Sequence, residues 1–356
     1  MLSQALQSLV GSLVAAATGA AALPANAPLP PVPHGFNIVK TTTNSQGQVI
    51  DWIRREDQGP IATPPPTSVP GDSLANLKSV QELVAQPRYQ GLPGTVPVLR
   101  NANFKHPKKQ LPPHMAGNQT EHAKRDGNPH CCTDGYSGTQ TVEAGWMHYG
   151  DIADTYDQSK DQQSFLFTFF TTNGYRSMAD YICGYLSYVK GWVQYDSEVH
   201  PGYFFSPVST IGGTQKELTI GYTLHENNWW CSVGGKFIGY YPSSLFNKNS
   251  ANPSNTLAAG ANQISFYGEV TNEMSTYTTS DMGSGNYSDQ VYGKAAYIKN
   301  IQYYSTNDQA VNFDTYSVQV DTQRGYQVQS YFNSGNAGWN SYMFLGGPGG
   351  DGKVGT

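Results

Sequence analysis

The sequence predicts an all-β protein, an antiparallel β-sandwich domain preceded by a small mixed domain. Three observations carry this expectation. Charged residues make up only 13% of the chain, about half the usual share. Aromatics reach 12%, with 24 tyrosines, beside 38 glycines and 22 prolines. Aromatic rings favour pleated sheet surfaces, and glycine and proline favour the turns between strands. From Thr141 onward, short apolar or alternating segments recur between turn signals, the spacing of strands in a sandwich or barrel.

The elements follow in chain order. Leu9 to Ala22 is an uncharged run of apolar and small residues, and Ala25-Asn26-Ala27 offers an A-x-A site. Residues 1–27 therefore read as a signal peptide, although Met1 to Ser8 lacks Lys and Arg. Secretion is expected. Residues 28–36 and 59–71 are Pro-rich and read as linker. Between them, Phe36 to Ile53 alternates as a hairpin with its turn at Asn44 to Gly47. Asp72 to Gln86 carries Leu74, Leu77, Val80, Leu83 and Val84 at helical spacing. Residues 101–140 are polar and aperiodic. Lys124-Arg125 lies there, where a dibasic pair suits a processing protease. This divides the chain into a signal peptide (1–27), a propeptide-like domain and linker (28–125) and a sandwich domain (126–356).

Predicted strands of the sandwich are Phe165 to Phe170, Leu218 to Leu224, a hairpin over Trp229 to Tyr241 turning at Gly234-Gly235, Ile264 to Thr271, Ala295 to Tyr304, Ser317 to Val320 and Ser341 to Leu345.

Several function classes are disfavoured. A net charge of -5 supplies no basic stripe for phosphate backbones, so no nucleic-acid partner is expected. After the leader no apolar run approaches the ~20 residues of a membrane span. The sequence has no G-x-S-x-G elbow, no phosphate-cradling glycine loop, no H-E-x-x-H and no C-x-x-C. No metal or cofactor is expected. The four cysteines, Cys131, Cys132, Cys183 and Cys231, permit two disulfides in a secreted chain.

The carboxylates are more informative. Asp151, Asp154, Asp157 and Asp161 lie among polar neighbours and read as solvated. Glu143 and Glu269 differ. They sit in Val142-Glu143-Ala144-Gly145-Trp146 and Phe266-Tyr267-Gly268-Glu269-Val270, on strand-like apolar backgrounds without a nearby Lys or Arg. Two such acids brought together would share a proton. One then serves as general base for water and the other as general acid.

The motifs Glu143-Ala-Gly-Trp146, Thr172-Asn-Gly-Tyr175, Asn228-Trp-Trp230, Gly239 to Phe246, Tyr267-Gly-Glu-Val270, Thr278 to Gly285, Gly293 to Tyr297 and Tyr342 to Gly349 occur in order. In that order and rough spacing the chain resembles the neprosin family of prolyl endopeptidases. Gly35 to Ile53 and Gly94 to Val98 are similar to its propeptide domain.

The resemblance implies a β-sandwich glutamic peptidase that acts at acid pH on proline-containing peptides, with its own propeptide as inhibitor. Glu143 and Glu269 match the family's catalytic glutamates. Trp146, Trp230, Tyr240 and Tyr267 are the expected substrate-facing residues. Tyr267 stands where the family motif has glycine. The family carries several strands ahead of E-A-G-W, and here only residues 126–142 separate Arg125 from Glu143, so those strands are missing or replaced. A non-catalytic sandwich that binds extracellular polysaccharide or protein is the alternative.

Overall fold

A computed structural model describes residues 4–10, 35–44, 48–66, 91–100, 140–148, 164–174, 183–185, 190–248, 250, 252–270, 280–304, 309–314, 318 and 325–350. Strands dominate these residues, and every pairing between named strands is antiparallel. The all-β class expected from composition holds.

The hairpin expected at Phe36 to Ile53 forms as β2 (Ile38–Thr43) and β3 (Val49–Arg54). Asn44 closes its turn, accepting from the Gln48 amide at 2.9 Å. β4 (Thr95–Arg100) adds a third strand on β3. Ile53, Val96 and Val98 form an apolar cluster over which Phe36 packs. The helix predicted for Asp72 to Gln86 and the Lys124-Arg125 pair lie outside the described residues.

A four-stranded sheet follows the order β5 (Thr141–His148), β6 (Ser164–Thr171), β7 (Cys183–Tyr185), with β9 (Phe204–Phe205) also on β6. β8 (Val193–Gln194) instead joins the largest sheet, at the edge beside β12. There β10 (Leu218–His225), β11 (Asn228–Val233) and β12 (Lys236–Pro242) form the predicted meander. Gly234 and Gly235 take positive φ at 58° and 77° in its second turn, the conformation that tight hairpins assign to glycine. Ala295 to Tyr304 gives two short strands instead of one, β13 (Ala296–Ile298) and β14 (Gln302–Tyr304), broken where Asn300 turns left-handed at φ 50°. β15 (Ala310–Asn312), β16 (Gln327–Tyr331) and β17 (Tyr342–Gly346) complete the set.

β1 (Gln4–Val10) enters this largest sheet from the far amino terminus. One of its edges pairs with β10 from Gln4↔Thr223 to Leu9↔Leu218. Its other edge pairs with β13 and β14, placed end to end. A segment expected to be leader thus supplies one strand of the largest sheet.

Residues of both large sheets meet in one apolar cluster. Ala144, Leu166 and Phe170 come from one, and Ile220, Trp229, Ile238 and Tyr241 from the other. Gly239 makes part of that packing possible. A Cβ there would lie 2.3 Å from Trp192 Cζ2 and 2.5 Å from the Val193 carbonyl oxygen. Gly239→Ala is expected to destabilise the protein by ~2 kcal/mol, because neither a packed ring nor a main-chain carbonyl can yield cheaply. A change below about 0.5 kcal/mol in urea unfolding would contradict this reading.

The three-stranded sheet is tied to the rest by polar contacts. Gln48 donates to the Gly202 carbonyl at 3.0 Å. Gln58 both donates to the Gln194 carbonyl and accepts from the Gln194 amide, each at 2.8 Å. A single side-chain amide there covers main-chain groups of an edge strand. Arg55 lies over the Tyr195 ring at 4.9 Å.

Candidate active site

The E-A-G-W motif is β5, and strand alternation explains its letters. Val142, Ala144 and Trp146 face the shared apolar cluster. Thr141, Glu143 and Gly145 take the other face. A Cβ on Gly145 would come within 2.7 Å of the Phe167 ring, the residue paired with it across the sheet. Glycine lets that ring lie over the strand.

Glu143 is half-buried and paired across the sheet with the fully buried Phe169. Thr141, two residues earlier on the same face, donates to Glu143 Oε1 at 2.6 Å. Tyr267 donates to Oε2 at 2.8 Å. Tyr222 donates to the Glu143 carbonyl oxygen at 3.0 Å. Burial holds the Tyr222 phenol well above its usual range, so it is a neutral donor.

The segment carrying Glu269 differs from the prediction. Residues 264–270 form no strand. They are anchored by packing instead of a ladder. Phe266 enters a cluster with Ala296, Ile298, Ile301, Met343 and Leu345. Gly268 lies so close to Leu345 and Met282 that a Cβ would meet each at 2.7 Å. This fixes the direction of the chain on either side, with Tyr267 reaching Glu143 and Glu269 exposed. In an extended chain Tyr267 and Glu269 project to the same side, roughly 7 Å apart along the backbone.

Trp146 is partly buried against the apolar cluster. Trp230 is fully buried between Tyr195, Phe237 and Tyr240, with its ring 4.5 Å from that of Tyr240. Tyr240 is 2% exposed, and its hydroxyl accepts from the Ala62 amide at 3.0 Å. Trp230 and Tyr240 therefore present no open surface to a substrate, and the segment around Ala62 meets the Tyr240 hydroxyl. Of these four, Tyr267 hydrogen-bonds directly to a candidate catalytic group.

Thr141 and Tyr222 were not singled out from sequence. Thr141 was within reach of the period-two rule, since it precedes Glu143 by two on that acid's strand-like background. Tyr222 comes from a different sheet, and no local pattern announces it. Cys231, one of the four cysteines whose number permits two disulfides, is a buried free thiol beside Tyr222.

A buried histidine adds a pH term to stability. His200 is 6% exposed, and its Nδ1 lies 2.8 Å from the Pro201 carbonyl oxygen, a contact suited to the tautomer protonated at Nδ1. Burial lowers its pKa from 6.5 to about 4. The unfolded chain therefore takes up this proton first. The contribution is fully present above about pH 6.5 and is lost as pH falls toward about 4. The loss amounts to ~3 kcal/mol. His200→Gln is expected to lose about that much less stability than the parent between pH 7 and 4. Parallel pH dependences in urea unfolding would refute the assignment.

An antiparallel all-β fold in which a strand carboxylate meets a glutamate-bearing segment defines a class, β-sheet proteins with an acidic site. The Neprosin family model matches residues 130–348. The chain belongs to the neprosin family. Proteins of this type are peptidases, so peptides or proteins are the substrate class.

Proposed function

We infer that the chain is a secreted glutamic endopeptidase, which hydrolyses proline-containing peptides at acid pH through Glu143 and Glu269. The observation that carries this reading is the hydrogen bond from Tyr267 to Glu143. It joins the E-A-G-W strand to the segment that bears Glu269, which supports a common site for the two glutamates.

In the proposed cycle Glu143 accepts a proton from water as the oxygen attacks the scissile carbonyl carbon. Glu269 gives its proton to the leaving amine as the C–N bond breaks. Proton transfer from the acid formed at Glu143 then restores the pair. Glu143 suits the base because two hydroxyls donate to it. Glu269 suits the acid because it is exposed and can meet a departing chain.

The 28–125 region is proposed as an inhibitory propeptide released by cleavage after Arg125. Its support is the contact of Ala62 with Tyr240 and of Gln58 with Gln194. The experiment is cleavage of proline-containing peptides by the purified chain, before and after cutting at Arg125, over roughly pH 2 to 6 around carboxylate titration. Turnover that rises after the cut is expected. Retention on insoluble glycans with no turnover at any pH would replace this reading with the binding module.

A further inference from the structure

Tyr267 stands where the family motif carries glycine, and it fills that position with a directed contact. Its hydroxyl donates to Glu143 Oε2 at 2.8 Å, while Thr141 donates to Oε1 at 2.6 Å. Each carboxylate oxygen therefore has a hydroxyl donor. The side chain has three torsions to fix, and the two contacts approach it from different elements, one from its own strand and one from the 264–270 segment. Gly268, pressed against Met282 and Leu345, fixes the backbone next to Tyr267. Tyr267 itself is half-buried.

We propose that Tyr267 is a positioning residue for Glu143, whose phenol hydroxyl acts with the Thr141 hydroxyl to hold Glu143 as an aimed carboxylate ready to take a proton from water. This rests on the reading of Glu143 as the general base. Hydrogen bonds given to the charged form favour it over the neutral acid, and charge-assisted bonds are the stronger kind. Among the described residues, Tyr267 and Tyr222 are titratable groups that face Glu143 from neighbouring elements. Glu269 lies on the same segment as Tyr267, and Cys231 lies beyond Tyr222. Glycine at position 267 would leave Oε2 to other partners. Tyr267 thus supplies a clamp on Glu143 from the opposite motif.

Tyr267→Phe removes the hydroxyl and keeps the ring. In the Arg125-cleaved protein it is expected to lower kcat by about tenfold or more, with KM changed less than about threefold. The acid limb of the kcat/KM profile should move to higher pH. Thr141→Val should move it the same way, and Thr141→Ser should restore the parent profile. The second readout needs no activity. In protein labelled with carboxyl-¹³C glutamate, the signal assigned to Glu143 by its loss in Glu143→Gln should titrate at higher pH in Tyr267→Phe than in the parent. Equal midpoints would overturn the proposal. A parent chain that cleaves nothing, yet shows the shifted midpoint, would sink the peptidase reading and leave the clamp standing.

Discussion

On the proposed mechanism, Glu143→Gln is expected to lower peptide cleavage by about 10³-fold, the usual worth of a positioned general base, with KM nearly unchanged. Glutamine has the size of glutamate and keeps one oxygen to accept from Thr141 or Tyr267. Its amide nitrogen donates, so one of the two hydroxyls then faces a donor and must turn. The group also cannot take a proton from water. The loss therefore falls on the chemical step and not on substrate binding. Glu269→Gln should lose activity on a comparable scale. Its exposed position means that the fold should be untouched, which makes it the cleaner of the two tests. Full activity in either variant, measured on a proline-containing peptide at the parent's best pH, would remove that glutamate from the mechanism.

The second large effect concerns stability. Asp51→Ala destabilises the three-stranded sheet by roughly 3 to 5 kcal/mol, the cost of leaving a buried charge without its partner. Asp51 lies mid-strand on β3 and Arg100 ends β4, and their side chains are 5% and 7% exposed. The guanidinium grips the carboxylate with two groups. Nε donates to Oδ2 at 2.6 Å and Nη2 to Oδ1. Thr41, paired with Asp51 across the sheet, donates to Oδ1 at 2.8 Å and accepts from Nη2 at 3.2 Å. The network is closed, so removing the carboxylate strands the arginine between buried strands. Replacing both partners at once, Asp51→Leu with Arg100→Met, should cost far less or even stabilise, since it removes both desolvation penalties together. Urea unfolding of the three proteins decides it. A single variant within about 1 kcal/mol of the parent would show that water reaches the arginine.

These two sites differ in how they could be read from sequence. Glu143 and Glu269 could be singled out because each is an acid in a recognisable motif on an apolar background. The contact that joins Glu143 to the segment bearing Glu269 could not. Tyr267 could be seen as a departure from the family's glycine, but its reach to Glu143 depends on how two distant segments pack. Asp51 was part of a correctly predicted strand, and its partner lies 49 positions away. Alternation reports which face a residue takes, not which charge waits there. The β10–β12 meander was legible for the opposite reason, since its turns and its pairing are local. Residues 264–270 look like a strand by composition, yet they are held by Phe266 and Gly268 packing on β17 and Met282, with no partner strand to supply a ladder among the described residues. Trp230 and Tyr240 looked like surface aromatics because a buried ring and an exposed one are spelled alike.

β1 has a consequence for how the molecule is made. It is the strand that joins β10 on one side to β13 and β14 on the other. Two strand spacings, about 9.6 Å, separate the edges it links. While Gln4–Val10 is part of the chain, it sits beside those edges at the high effective concentration that a covalent tether confers. A cut after Ala27 turns the same seven residues into a separate peptide. Its hold on the sheet then follows mass action, set by a dissociation rate and by dilution. Were residues 1–27 removed as the proposed leader, cleavage and the growing sheet would contend for one segment, and whichever reached it first would fix whether this strand arrives as part of the protein or as its first ligand.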